Sequence, residues 1–309
     1  MSGPWRRDAA RRSLLAPAAA LAVLASVGVA VTSKPGPDPS PRRSVGQEAG
    51  PAASPAAPAR RAPTASPLST APVVGPERAA PQAEGPPYDG RFTFVRLRFG
   101  DGGAGLRRGW GRRGGGPVWA HDMPRAERNF AQILSEVTLI SPYMEGGKVL
   151  DVDDPELFKY PVAYIVEVGY WRPSDSEVGA LREYLLKGGF LIVDDFRGRD
   201  IYTFLDAMKR VLPEADVVEL DPGHEIFDSF FHIEDPSTLA PPTYQQYVPV
   251  YLAVFEDNDP RKRLMAMINY NNDIAEYWEY SDYGYFPIDL SNEAYKFGVN
   301  YIVYALTHH

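Results

Sequence analysis

Residues 88–309 read as an α/β domain whose mostly parallel sheet is covered by helices on both faces. Three observations predict it. Short apolar runs alternate along the chain with stretches of helical periodicity. The runs at Val162–Val166 and Phe190–Val193 are continuously apolar, as strands buried on both sides are. Between them, Ser174 and Glu177 form a capping box that opens a helix, and Gly188-Gly189 closes it just before the next run begins.

The elements follow in order. Arg91 to Phe99 (RFTFVRLRF) alternates polar and apolar residues, the period-2 signature of a half-buried first strand. Phe130, Ile133, Leu134 and Val137 recur at helical spacing after Pro124, and the strand Val162–Val166 is bounded by Pro161 and Gly169. The capped helix carries Val178, Leu181, Tyr184 and Leu185. After it, the Phe190–Val193 strand gives way abruptly to Asp194-Asp195-Phe196-Arg197-Gly198. A helix over Ile201–Val211, strands at Val217–Leu220, Val248–Phe255 and Leu264–Tyr270, and a last helix over Ser291–Ala305 complete the alternation.

Upstream, the composition changes. Arg6, Arg7, Arg11 and Arg12 precede an apolar run from Leu14 to Val31, so residues 1–32 read as a signal peptide or membrane anchor. A helix of that run would be about 27 Å long, just short of the hydrocarbon core, and the flanking arginines direct everything beyond it across the membrane. Gly28-Val29-Ala30 offers a cleavage signal, and Arg11-Arg12-Ser13-Leu14-Leu15 also fits a twin-arginine pattern. Residues 33–87 hold 14 of the 30 prolines, with much alanine and no periodicity, and read as a disordered tether. The expected location is extracytoplasmic, periplasmic or tethered facing outward, with membrane contact through the N-terminal segment only.

Charge and composition exclude several function classes. Residues 1–87 hold ten of the 32 Lys and Arg and five of the 40 Asp and Glu, which leaves the remainder with 22 against 35, a net charge of −13. Such a domain repels phosphate backbones, so nucleic acid is not expected as a partner. The chain has no cysteine, which removes disulfides, thiolate metal sites and cysteine nucleophiles.

Ligands of parallel sheets bind at the carboxyl ends of the strands, and that rule selects the candidates. Asp194 and Asp195 end the clearest strand. Successive strand residues point to opposite faces, so one of the two would face a crevice; alternatively, one caps the following helix and the other pairs with Arg197. His224, beside Glu225 and Asp228, has the chemistry of a general base, a metal ligand or a turn-fixing side chain. The run NYNNDIAEYWE groups Asn271, Asn272, Asp273, Trp278 and Glu279, oxygen ligands and an indole that suit a hard cation or a sugar ring, although turn chemistry also explains the asparagines. A divalent cation fits these groups as cofactor. Gly100-Asp101-Gly102-Gly103-Ala104-Gly105 matches the dinucleotide pattern but opens no helix, so no nucleotide is expected. Arg107, Arg108, Arg112 and Arg113 around Trp110 form a basic stretch best explained as a loop insertion.

Five segments carry a resemblance: WAHDMPRAERN from Trp119, YLLKGGFLIVDD from Tyr184, His224-Glu225-Ile226-Phe227, NYNNDIAEYWE from Asn269 and FGVNYIVYAL from Phe297. Their order over Arg91 to His309 resembles the bacterial family catalogued as domain of unknown function 4159. That resemblance implies a flavodoxin-like three-layer sandwich of the class I glutamine amidotransferase-like superfamily, preceded by an export or membrane segment. It implies no reaction, and without a cysteine the glutaminase chemistry of that superfamily is excluded. The expectation is an exported, tethered, non-glutaminase domain that binds a small ligand or a cell-envelope protein at the C-terminal edge of its sheet. The alternative is a carboxylate- or metal-dependent hydrolase of an envelope substrate, and a scaffold without a pocket is a third reading.

Overall fold

Seven strands build one sheet in the order β2-β1-β3-β4-β7-β6-β5, in a computed structural model that describes residues 85–100, 117–243 and 246–308. The elements are β1 (Val95–Arg98), α1 (Arg125–Val137), β2 (Lys148–Asp151), β3 (Val162–Val166), α2 (Asp175–Leu186), β4 (Phe190–Phe196), α3 (Asp200–Val211), β5 (Val218–Glu219), β6 (Val250–Phe255), β7 (Leu264–Tyr270), α4 (Ile274–Glu279) and α5 (Ile288–Thr307). The expected signal or anchor, nearly all of the tether, the glycine run after Gly100 and the basic stretch lie outside the described residues. Among the described residues, no helix is long and apolar enough to cross a membrane.

Five neighbouring strands, β2, β1, β3, β4 and β7, run parallel, while β6 is antiparallel to β7 and β5 to β6. Two apolar cores sandwich this sheet. One gathers α1, α4 and α5 around Phe94, Phe130, Trp278 and Phe297; the other gathers α2 and α3 around Leu97, Leu181, Phe196 and Phe204. The β1-to-β2 connection through α1 therefore covers one face and the β3-to-β4 connection through α2 the other. The change of side between adjacent strands β1 and β3 is the point at which a doubly wound sheet binds its ligands.

The alternation of helix and strand is as read from sequence, and β3 and β7 have the expected bounds. Four details differ. The first strand is not half-buried: β1 lies inside the sheet, and Arg96, a polar position of the alternating run, is fully buried beneath α1. Its Nε and Nη2 donate to Glu127 Oε1 at 2.9 and 2.6 Å, and its guanidinium lies 4.7 Å from the centre of the Tyr164 ring. The fourth strand does not stop at Val193 but runs to Phe196, with a register shift that lets Asp195 take a left-handed conformation (φ 53°). A four-residue strand, β2, and a six-residue helix, α4, were not expected. Short elements of that kind carry too few residues to show periodicity.

Gly298 sets how closely α1, α4 and α5 approach. A Cβ there would fall 2.4 Å from a Phe130 ring carbon and 2.6 Å from Trp278. Gly298→Val should therefore overpack this core and cost about 2–3 kcal/mol. Gly179, exposed on α2 with open space where its Cβ would be, should behave in the opposite sense. Its replacement by alanine should stabilise by about 0.5–1 kcal/mol. Thermal melts of the two variants against the parent measure both signs.

Candidate metal centre

The site is built around a carboxylate that is not itself available. Asp194, fully buried near the end of β4, accepts hydrogen bonds from Tyr164 Oη on β3 (2.7 Å) and Asn269 Nδ2 on β7 (3.1 Å). It also accepts from the backbone amides of Ile274 (3.0 Å) and Ala275 (3.1 Å), the first turn of α4. Asp194 thus supplies an acceptor and a negative charge at a helix start, but the helix is α4, which follows a different strand. The expectation that one of the paired aspartates caps α3 is corrected: α3 starts after Arg199, with no side-chain cap. The small apolar residues Ile274 and Ala275 let α4 sit directly on the strand ends, where both are fully buried.

Four further side chains meet beside this anchor. His121, Asp122, Asp195 and Asp273 bring one ligand atom each within 4.8 Å of one another. His121 and Asp122 follow a short turn (Val118–Ala120) ahead of α1, Asp195 sits at the bulge of β4, and Asp273 is the N-cap of α4. A second group, Asp122, Glu276 and Glu279, meets under the same distance limit and shares Asp122 with the first. Glu167, just past β3, joins them through its amide, which donates to the Asp195 carbonyl at 3.1 Å. Asp122, Glu167 and Asp195 all have positive φ (65°, 51° and 53°). Left-handed backbone at non-glycine residues costs free energy and gathers where side chains must be aimed.

Both oxygens of Asp122 and Oδ2 of Asp273 are buried and accept no hydrogen bond. Oδ1 of Asp273 takes the Glu276 amide at 3.2 Å. His121 donates Nδ1 to Asp195 Oδ2 at 2.7 Å and lies 3.3 Å from Asp122 Oδ1. Its ring is 44% exposed, yet the Nδ1 edge turns toward carboxylates whose side chains are wholly buried.

Burial and mutual repulsion dominate the electrostatics. Burial, then the charges of Asp195 and Glu276, push the Asp122 carboxyl well above its usual range, and His121 opposes that rise. Burial and the neighbouring aspartates do the same to Asp273. Glu167 rises to about 8 through burial and the charge of Asp195. For His121, burial works against the charged ring, but the hydrogen bond to Asp195 and the surrounding carboxylates outweigh it and raise the pKa to about 10.

The other sequence candidates sit elsewhere or serve the scaffold. Trp278 is no ligand platform: its ring is 2% exposed and packs 4.6 Å from Phe130 in the core. Asn271 receives the Gly198 amide on Oδ1 (2.9 Å) and donates to the Val248 carbonyl (3.2 Å), which staples two loops. Asn272 accepts from the Asp273 amide and reaches Tyr251 Oη. The Arg197 amide donates to Asp200, and its positive charge acts on Glu167. His224 caps the turn Glu225–Phe227 by accepting from the Ile226 amide, with its ring beside Phe255. Phe255 pairs with Leu264 at the start of β7, so His224 lies at the opposite end of the sheet from Asp195 and Asp273. The first-named candidates that do converge are Asp195, Asp273 and Glu279. His121, Asp122, Glu167 and Glu276 were overlooked, although each left a signal. His121 and Asp122 stand in WAHDMPRAERN, Glu167 follows a strand as Asp194 does, and Asp273 with Glu276 is an N-cap pattern at a spacing of three.

Two predictions follow from this geometry. Asp194→Ala would leave the Tyr164 hydroxyl, the Asn269 amide and two α4 amides without their acceptor. At about 1–3 kcal/mol for each buried unsatisfied group, the loss should reach at least about 3 kcal/mol, a fall of roughly 6–12 °C in Tm. The second concerns pH. Asp122, Asp273, Glu167 and His121 keep their protons to higher pH when folded than when unfolded, so the folded chain binds more protons and stability falls as pH rises. The carboxyl part spans about pH 4.5 to about 8, as for Glu167, and His121 extends it from 6.5 to about 10. Melts in chelator should therefore show the chain more stable at pH 5.5 than at pH 9 by several degrees, roughly; a rise toward pH 9 would contradict this charge balance.

No curated protein matches the chain. The family model described as a domain of unknown function (DUF4159) matches residues 104–306, and this stretch contains every residue of the carboxylate cluster. It covers well over half of the 309 residues, and the chain belongs to that family.

Proposed function

We propose that this domain holds a divalent cation at the carboxyl end of its sheet and uses it to hydrolyse a cell-envelope substrate. One observation carries the reading: three buried oxygens of Asp122 and Asp273 accept no hydrogen bond and lie against Asp195 and His121, whose Nδ1 is 3.3 Å from Asp122 Oδ1. A buried carboxylate without a hydrogen-bond donor costs several kcal/mol, and native proteins retain such groups where a ligand completes them. One imidazole with several carboxylates suits Mn²⁺, Zn²⁺ or Mg²⁺. A cation held there would generate a hydroxide near neutral pH, so hydrolysis needs no serine or cysteine nucleophile.

The wider setting is part of the same proposal. The order β2-β1-β3-β4, with a parallel β7 beside it and helices on both faces, supports a flavodoxin-like, class I glutamine amidotransferase-like sandwich. The arginine-flanked apolar run and the Pro/Ala-rich stretch support an exported domain on a tether. Ligand binding without turnover is the second reading. It is favoured by the absence of cysteine, which removes the superfamily's own nucleophile.

Asp122→Asn and Asp273→Asn test the site with little cost to the fold. Asn tolerates the left-handed backbone at 122 and caps a helix as well as Asp at 273. Cation at a hundred times its Kd should stabilise the full chain by about 2.7 kcal/mol, a shift of roughly 5–10 °C. Both variants should lose that shift while melting, in chelator, at or above the parent temperature, because a repelling charge is gone. No shift with Mn²⁺, Zn²⁺, Mg²⁺ or Ca²⁺ would end the cation reading. Turnover of phosphoester, carboxylic ester or amide probes that needs the cation supports hydrolysis; cation binding with no turnover on that panel leaves the binding reading.

A further inference from the structure

We infer that the centre is binuclear, with the Asp122 carboxylate bridging two cations. The inference rests on the cation reading above and extends it. Asp122 belongs to both ligand groups: His121, Asp195 and Asp273 on one side, Glu276 and Glu279 on the other. Its side chain is wholly buried, neither oxygen accepts a hydrogen bond, and Oδ1 has an ion-pair contact with His121 Nδ1 at 3.3 Å. A carboxylate held in that way has one oxygen for each of two ions, the arrangement in which two metals sit about 3.5–4 Å apart. Glu276 and Glu279 are spaced by three on α4, so both project from one side of the helix toward Asp122.

Charge supports the second ion independently of geometry. Asp122, Asp195, Asp273, Glu276 and Glu279 contribute five carboxylates to the two groups. With His121 neutral as a ligand, one divalent ion leaves three negative charges in a largely buried space, and two leave one. Of the nearby arginines, Arg96 pairs with Glu127, Arg125 pairs with Asp282 at 2.8 Å, and Arg197 acts on Glu167. The competing arrangement is a proton kept between Asp122 and Glu276, which would allow one ion only.

The test is equilibrium dialysis of the chelator-treated full chain against Mn²⁺, with low-temperature electron paramagnetic resonance of the loaded protein. Two Mn²⁺ per chain with an exchange-coupled spectrum are expected. The double variant Glu276→Gln, Glu279→Gln should bind one Mn²⁺ and give the simple hyperfine spectrum of an isolated ion. Its melt in chelator should match or exceed the parent's, which separates a lost site from a lost fold. One Mn²⁺ per chain in both proteins would overturn the second site and keep the first, and two uncoupled ions would overturn the bridge. No bound Mn²⁺ in either would overturn the cation reading itself.

Discussion

The arrangement depends on the four hydrogen bonds that converge on Asp194. They tie β3 through Tyr164, β7 through Asn269 and the first turn of α4 to one point at the end of β4. Asn269 passes the link on, since its Oδ1 accepts from Tyr301 Oη on α5 at 2.9 Å. A charged acceptor with several donors is among the stronger hydrogen-bonded arrangements in a protein interior. Its consequence is geometric. With α4 fixed on the strand ends, Asp273, Glu276 and Glu279 have little freedom in where they point.

Against that anchored framework stands a group of carboxylates that destabilises it. Asp194 is buried and satisfied, whereas Asp122 and Asp273 are buried and incompletely satisfied. For these neighbouring aspartates, that difference separates the anchor from the cluster it supports. Asp194 is answered by four donors within the fold, and the answer missing at Asp122 has to come from protons or from a cation. Beneath the site, charges are paired but one nitrogen of Arg96 and one oxygen of Glu127 lack a hydrogen-bond partner. Arg96 and Glu127 form a buried ion pair stacked on Tyr164, which places a fixed positive charge close enough to act on Asp122.

The location of the cluster also follows from winding. Because α1 and α2 cover opposite faces, the helices reached from β1 and β3 lie on different sides of the sheet, and the short turn Val118–Ala120 packs against both strands. His121 and Asp122 follow β1 in the chain and Glu167 follows β3, so they come from the two sides of this switch. Asp195 and Asp273 join the cluster from β4 and β7.

Much of this was legible in the residues alone. The apolar runs that became β3 and β7, the capping box of α2 and the two glycines after it are local patterns, set by backbone sterics and by which side chains avoid water. Locally, too, the chain lacks cysteine, and with it any thiolate chemistry. The burial of Arg96 leaves no trace in the alternation, which reports polarity and is blind to a partner 31 positions away on α1. Likewise Trp278 and His224 were chosen for their chemistry, and only packing showed one in the core and the other at the far end of the sheet. The pairing of His121 with Asp195 spans 74 positions, and that of Asp194 with the α4 amides 80 or more. Sequence by itself determined the elements and the stock of carboxylates; which of them meet was decided by strand order and by the docking of α4, because nearness across a sheet edge leaves no periodic trace along the chain.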